Sequence, residues 1–458
     1  MGTTSTLDRN AIAELSARFS GALVLPGEAG YDDARKIHNG LIDKHPALIA
    51  RCLGAPDVVD AIEFACTRGL EVAVRGGGHN VAGKAACDDG LMLDLSRMKG
   101  IHVDPERRTA RAQGGVTWRD FNRATQLHGL ACTGGVISTT GIAGLTLGGG
   151  LGWLMGKHGL ALDNLVSAEV ITAPGDVVRA SEKDNADLFW ALRGAGANFG
   201  VVSWLEYRLH PVGPVTSGIV AHPFAQAREL WRFFRETTAS LPDEVTLFAG
   251  LLHAPDGSGT KLAAMIACHT GSLAEGEVAL RPVKRFGSPA LDVIQPSTYE
   301  ATNMMLDAGF PAGALNYWKS SFLGELSDAA IDTMIDAFTR CPSPMSSLLV
   351  EHVHGAMTRV GATDTAFPHR RAGYNFLIVS QWTDPGDTAR NVAWARQTHA
   401  AMQPYYAPGR YVNYLENDEA GDAVRAAYGP NYDRLRSLKA TYDPTNFFHL
   451  NQNIPPGP

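Results

Sequence analysis

Apolar residues recur at helical spacing between residues 57 and 68, where Val58, Ile62 and Ala65 would share one face. The period then shortens. Residues 71–74, 90–95, 101–104 and 109–112 read as strands, the last two joined by the turn Asp104-Pro105-Glu106-Arg107. Residues 118–128 suit a helix, and 166–172 with 176–180 suit a hairpin around Pro174-Gly175. This first third reads as α/β. Pro211-Val212-Gly213-Pro214 is the best candidate boundary. Beyond it the pattern predicts helices at 226–240, 327–339, 387–402 and 432–441, and strands at 245–253, 261–269, 346–354 and 373–382. Strands and helices in blocks predict an α+β domain with an antiparallel sheet.

Hydrophobic residues make up 45% and charged residues 19% of the 458, a balance that excludes wholesale disorder and allows a large core. A net charge of -7 gives no basic surface for nucleic acid. The six cysteines are scattered without a CxxC pair, which predicts reduced thiols and neither a disulfide framework nor a zinc site. No basic region followed by an apolar core opens the chain, so a cytoplasmic location is expected. Met1-Gly2 with Thr6 fits the loose myristoylation pattern. Residues 124–156 carry no Asp, Glu, Lys or Arg, which invites a membrane reading. Ten glycines and many hydroxyls interrupt that stretch, which suits an uncharged shell around a cofactor better.

Two glycine-rich stretches carry the chemistry. In Val74-Arg75-Gly76-Gly77-Gly78-His79-Asn80-Val81-Ala82-Gly83-Lys84, successive backbone N–H groups can point into one concavity, as a phosphate or pyrophosphate requires. Gly78 to Lys84 fits the start of a P-loop. Ala85 replaces the Mg²⁺-binding hydroxyl, and a turn rather than a helix is expected next, so the P-loop mechanism fails. No Rossmann GxGxxG occurs, and Gly194 to Gly200 has one residue too many. The second stretch runs from Gly134-Gly135-Val136-Ile137-Ser138-Thr139-Thr140-Gly141 through Gly144 and Thr146 to Gly152. Its amides and hydroxyls can bond a large polar heterocycle, although a ligand-free buried bend would use the same residues. His352-Val353-His354 sets two imidazoles on one strand face. No third metal ligand is found, so pocket lining is the better reading and no metal is expected.

The two stretches in this order resemble the vanillyl-alcohol oxidase and p-cresol methylhydroxylase superfamily, in its berberine-bridge-enzyme-like branch. Further matches are Gly159 to Asn164, Asp187 to Gly194, Asn198 to Val202, Tyr411-Val412-Asn413-Tyr414, Tyr442 to Phe448 and Asn451 to Pro456. The resemblance covers the whole chain. It implies an α+β protein: an FAD-binding domain of the p-cresol methylhydroxylase type in two parts, residues 1–212 and 406–458, and an α+β substrate domain with an antiparallel sheet at 213–405. It implies that FAD is held by Arg75, Gly76, Gly77, Gly78, His79, Asn80 and Gly83, and by Gly135, Val136, Thr139, Thr140, Gly141, Gly144, Thr146, Gly149, Gly150, Gly152 and Trp153. Gly200, Val202, Tyr411, Asn413 and Asn451 would complete the site.

The resemblance also implies a covalent bond from His79 to the flavin 8α-methyl. Relatives often add a second bond from a cysteine at the position of Ile137, and Cys132 lies five residues early, so a single link is expected. Tyr411, Asn413 and Tyr414 match the active-site strand of the branch, with Tyr414 as the base and Tyr411 beside it. A free phenol titrates near ~10, so a neighbouring Arg or Lys would have to lower it. His352, His354 and Gln381 are candidates to line the substrate pocket. Phe367-Pro368-His369-Arg370 reads as a structural turn. Thr140 maps to the position that gates oxygen, and its valine-like shape implies an oxidase that takes a hydride from an alcohol, sugar, phenol or alkaloid-like substrate and returns H2O2 from O2. A flavin dehydrogenase or a non-catalytic flavin module are the alternatives. The partners expected are the substrate and O2, with no nucleic acid or membrane, in a monomer or homodimer.

Overall fold

The computed structural model describes residues 7–419 and 421–457, and the Met1-Gly2-Thr6 pattern lies outside them. Near the start, strands Leu48–Arg51 and Val72–Arg75 both run parallel to Leu91–Asp94. Ala22–Val24 adds an antiparallel edge to this four-stranded sheet. Helix Ala55–Arg68 joins two of the strands. Its predicted stripe is real: Val58, Ala61, Ile62 and Ala65 are buried against Leu48, Leu91 and Leu93, and Gly69 closes the helix at φ +61°.

The α/β character ends there. Ile101–Asp104, Thr109–Gln113, Val201–Arg208, Leu165–Ile171 and Val177–Ser181 form, in that order, an antiparallel five-stranded sheet. Helices Trp118–Gln126, Ala186–Ala195 and Tyr432–Tyr442 share its core. The chain leaves this sheet at Arg208, pairs His210–Pro211 with Leu130–Ala131, and enters another sheet at Val215.

That second sheet has eight antiparallel strands. Its centre runs from Val215–Pro223 through Lys261–His269, Val245–His253, Ser347–Val353 and Gly373–Trp382 to Leu315–Leu323. Alternation along each strand divides its two faces. Leu247, Ala249, Met265, Val350, Phe376 and Ile378 pack beneath helices Ala227–Thr238, Asp328–Thr339 and Thr388–Met402. Phe248, Ile266, Leu349, Glu351, Leu377 and Trp318 face the other way, toward the glycine-rich stretches. The edge strand Leu315–Leu323 is covered: the Asn316 and Trp318 amides donate to Asn39 and Glu416, and Ala407 donates to the Phe322 carbonyl.

Residues 406–457 return to the five-stranded sheet. The fully buried Lys439 ammonium donates to Asp443 and to the Asn198 and Phe448 carbonyls. Asp443 in turn accepts from the Phe447 and Phe448 amides, so the tail is knotted against residues 196–200. A bidentate pair at 2.7 and 2.8 Å between Arg370 and Asp163 ties the segment following the eight-stranded sheet's fourth central strand to the glycine-rich half. Among the described residues no helix is long and apolar enough to cross a membrane.

Candidate active site

The glycine stretches meet where strand Val72–Arg75 ends. A Cβ on Gly77 would overlap the Gly141 backbone, and one on Gly141 would overlap Gly77. Only glycine permits this crossing. Two cavities lie along it, and both are lined by Val74, Gly76, Asn80, Ala85, Gly144 and Asn413. They form one bent trough. The first continues past Gly200, Val202 and the tail residues Leu450, Asn451 and Gln452. The second opens onto the bare face of the eight-stranded sheet.

His79 lines the second cavity. Its Nε2 lies 2.9 Å from the Thr139 hydroxyl, and its ring stacks on His38 at 3.8 Å. Burial pushes its pKa down to about 3, so the imidazole is neutral at ordinary pH. His38, which the sequence pattern did not single out, is buried and neutral for the same reason.

Tyr411, Asn413 and Tyr414 do come together, but not on a strand. Val412–Tyr414 is a 3-10 turn closed by the Tyr414 amide on the Tyr411 carbonyl. A turn lets residues 411, 413 and 414 all face the same cavity, which strand alternation would forbid. The Tyr411 oxygen accepts from the Gly150 amide at 2.9 Å and from Asn413 Nδ2 at 3.0 Å. Burial raises its pKa to about 12, so it serves as a pin for the glycine bend rather than as a proton acceptor. Tyr414 donates to Glu351 Oε1 at 3.2 Å. No Arg or Lys stands there among the described residues lining the cavity. Burial and the Glu351 charge push the Tyr414 phenol well above its usual value. The expected tyrosinate therefore has no cation to create it.

Glu351 is the residue that sequence reading missed. It is fully enclosed, and burial lifts its carboxyl to about 7. Asn375, its register partner on the next strand, donates to Oε2 at 2.6 Å. The signal was a lone carboxylate in the apolar run Leu348-Leu349-Val350-Glu351.

Residues 46–181 match the family described as FAD binding domain, and residues 410–455 match the family described as berberine and berberine like. (R)-6-hydroxynicotine oxidase of Paenarthrobacter nicotinovorans is 32% identical over 453 residues, 96% of this chain and 97% of that protein. An FAD-linked oxidoreductase of Dictyostelium discoideum is 30% identical over 415 residues, covering 90% of this chain and 89% of the relative. The crystal structure of 6-hydroxy-D-nicotine oxidase from Arthrobacter nicotinovorans superposes with a TM-score of 0.87 at 29% identity, over 96% of this chain and 98% of that one. The chain belongs to the berberine-bridge-enzyme-like FAD-linked oxidoreductases.

The residues present fit FAD. A dinucleotide needs a long, branched space, and the two joined cavities supply it with side-chain-free walls at Gly76, Gly77, Gly141 and Gly144. The Asn451 side-chain oxygen is buried beside the first cavity without a partner, as a group waiting for a ligand donor would be. Of the residues expected to hold FAD, Gly76, Gly77, Gly78, His79, Asn80, Gly135, Val136, Thr140, Gly141, Gly144, Gly200, Val202, Tyr411, Asn413 and Asn451 line the trough.

The others stand behind the wall. Arg75 donates to the Ala34 carbonyl at 2.6 Å and turns toward Asp94. Gly83 packs on Ile42 in a turn at φ +75°. Thr139 holds His79, and the Thr146 hydroxyl meets the Tyr207 hydroxyl at 2.9 Å. Gly149 and Gly150 make the bend under Tyr411 and Ala161, Gly152 abuts the Gly134 carbonyl, and Trp153 stacks on Phe248 at 5.0 Å.

The expected substrate-pocket residues are displaced too. His352 lies on the helix-covered face beside Tyr374, because it follows Glu351 by one residue and a strand alternates. His354 stacks on His352 at 4.4 Å and reaches the Pro242 carbonyl. Gln381 shares the bare face but sits past Val379, where its amide points to the Gly309 carbonyl. Cys132 is fully buried with its thiol on the Thr133 carbonyl, outside the cavity.

Proposed function

We propose that this FAD-linked oxidoreductase is an oxidase, with His79 as its single covalent anchor and Glu351 as its base. One observation carries the reading: His79, Thr140 and the Glu351–Tyr414 pair all line one cavity of the FAD trough. The cofactor supplies a two-electron acceptor that O2 can regenerate with release of H2O2.

The protein residues do the rest. Glu351 takes the proton that a substrate gives up with its hydride, and a carboxyl near 7 is matched to that task at neutral pH. Asn375 and Tyr414 each donate a hydrogen bond to one of its oxygens and so hold its orientation. Tyr414 is then a donor, not the base. The neutral His79 imidazole, steadied by Thr139 and His38, offers a ring nitrogen to the 8α-methyl. With Cys132 buried elsewhere and Ile137 on the cavity wall, no second thioether link is expected. Thr140 is a small side chain at the gate position and leaves room for oxygen, which favours the oxidase over the dehydrogenase. The same reading assigns residues 1–212 and 406–458 to holding FAD and 213–405 to covering the substrate.

The test is a denaturing gel and a peroxide assay. Denatured wild-type protein should keep flavin fluorescence, and His79→Ala should lose it while Cys132→Ala keeps it. A substrate that bleaches the flavin should yield peroxide in air. Fluorescence retained in His79→Ala would overturn the anchor, and bleaching without peroxide would overturn the oxidase.

A further inference from the structure

The two cavities of the trough differ in charge. Among the described residues, Glu351 is the carboxylate that lines the second cavity, and no Lys or Arg lines it. The first cavity is the reverse: Lys84 lines it, and no Asp, Glu or Arg does. Lys84 closes the Gly78 to Lys84 stretch that has the spacing of a P-loop. The chain continues in turns, so no helix N-terminus stands behind that lysine.

The Lys84 ammonium has no partner of its own. Its backbone amide donates to Asn80 Oδ1 at 3.0 Å, and its side chain makes no hydrogen bond or ion pair among the described residues. The charged groups around it are engaged elsewhere. Lys44 repels it and donates to the Ala86 carbonyl at 3.0 Å. Glu71 pairs with His449 at 3.3 Å, and Glu416 accepts from the Trp318 and Asn417 amides. Burial and Lys44 hold the Lys84 pKa below its usual value. A half-buried cation in that position wants a counter-ion.

We propose that Lys84 is a phosphate-binding residue of this chain, its ammonium pairing with the pyrophosphate of FAD. The assignment rests on FAD filling the trough and is independent of whether O2 is the electron acceptor. Pyrophosphate is the group of FAD that is ionised at neutral pH, and it lies midway along the molecule. With the flavin ring beside His79 and Glu351, the remainder must leave through the residues that both cavities share. Asn80 and Ala85 are two of these, and Lys84 lies between them in the chain. The other cation of the loop is taken, because Arg75 donates to the Ala34 carbonyl and turns toward Asp94. Backbone amides of the glycine turn can cradle the phosphate oxygens, and Lys84 adds the full charge that amides lack.

Two measurements test this. In the full-length His79→Ala protein, FAD and riboflavin are titrated while flavin fluorescence is followed. Riboflavin has the ring and no phosphate. Lys84→Met keeps the backbone bond to Asn80 and should weaken FAD about tenfold or more, about 1.4 kcal/mol, with riboflavin changed less than about twofold. The second measurement is the ³¹P spectrum of FAD-loaded wild-type protein. A pyrophosphate diester does not titrate between about pH 7 and about pH 10, whereas a lysine held below its usual pKa does. The phosphorus resonances should therefore move over that range in wild type. They should stay fixed in Lys84→Arg, whose guanidinium remains charged. Equal losses for FAD and riboflavin, FAD affinity unchanged in Lys84→Met, wild-type resonances flat with pH, or the same movement in Lys84→Arg would each overturn the proposal. A flavin that stays bonded in His79→Ala would sink the anchor assignment instead. The phosphorus resonances then decide the role of Lys84, as they do if Lys84→Met fails to fold.

Discussion

At the scale of single residues, a carboxyl near 7 gives the site a pH signature that a phenol above 10 could not. Glu351 works as a base only when ionised. Flavin reduction by substrate should therefore rise with pH through about 7 and level off above it. Glu351→Gln should slow reduction by about 10²–10⁴ and flatten that profile. Tyr414→Phe removes one hydrogen bond from the carboxylate and should cost only about tenfold. Stopped-flow traces across pH would separate the two, and a larger loss in Tyr414→Phe than in Glu351→Gln would return the base to the tyrosine. The same group acts on stability with a definite sign. Its folded pKa is raised, so its contribution is fully present below the unfolded value and is lost as pH rises through about 7. Glu351→Gln should thus gain melting temperature relative to wild type at alkaline pH and not in acid.

The elements show what pattern reading could reach and where it stopped. Strands Val245–His253, Lys261–His269 and Gly373–Trp382 were legible to the residue, because long apolar runs flanked by turn residues leave little choice. The first glycine loop was legible as a close backbone crossing because consecutive glycines have few structural uses, and the structure places His79 of that loop on the cavity wall. Residues 411–414 were expected on a strand only through the resemblance, and contact with the Gly148–Leu151 bend makes them a turn. Face was the harder question. Whether Glu351 or His352 meets the cavity depends on which side the helices cover, and that is fixed by strands more than a hundred residues away.

The C-terminal knot was recognisable only as a motif, since Lys439 and Asp443 look like a solvated helix pair until the tail buries them. Its role makes a prediction. Lys439→Met strands the Asp443 charge in the core and should cost about 3–5 kcal/mol. Because Leu450, Asn451 and Gln452 line the first cavity, the variant should also release FAD at lower denaturant than wild type, unless the covalent anchor retains it. Combining it with His79→Ala and measuring free flavin by filtration would show whether the tail clamps the cofactor. Unchanged retention would assign the knot to stability alone.

The whole molecule sets two sheets against one trough. The five-stranded sheet and the returning tail hold one end, and the eight-stranded sheet supplies a bare face at the other, with Asp163–Arg370 tying the halves together. Thr140 stands where the glycine stretch turns into the second cavity. Its backbone is fixed by bonds to Trp118 and Ile137, so a change there alters side-chain bulk with little movement of the loop. Thr140→Leu should slow oxidation of the reduced flavin by O2 about tenfold or more and leave its reduction by substrate nearly unchanged. The measurement that bears most directly on the oxidase claim needs no knowledge of the substrate. Reduced by light under argon and then mixed with aerated buffer, the wild-type flavin should regain its yellow absorption within seconds and release one H2O2 per FAD. A flavin that stays bleached for minutes in air would contradict the oxidase and mark the protein as a dehydrogenase with another acceptor.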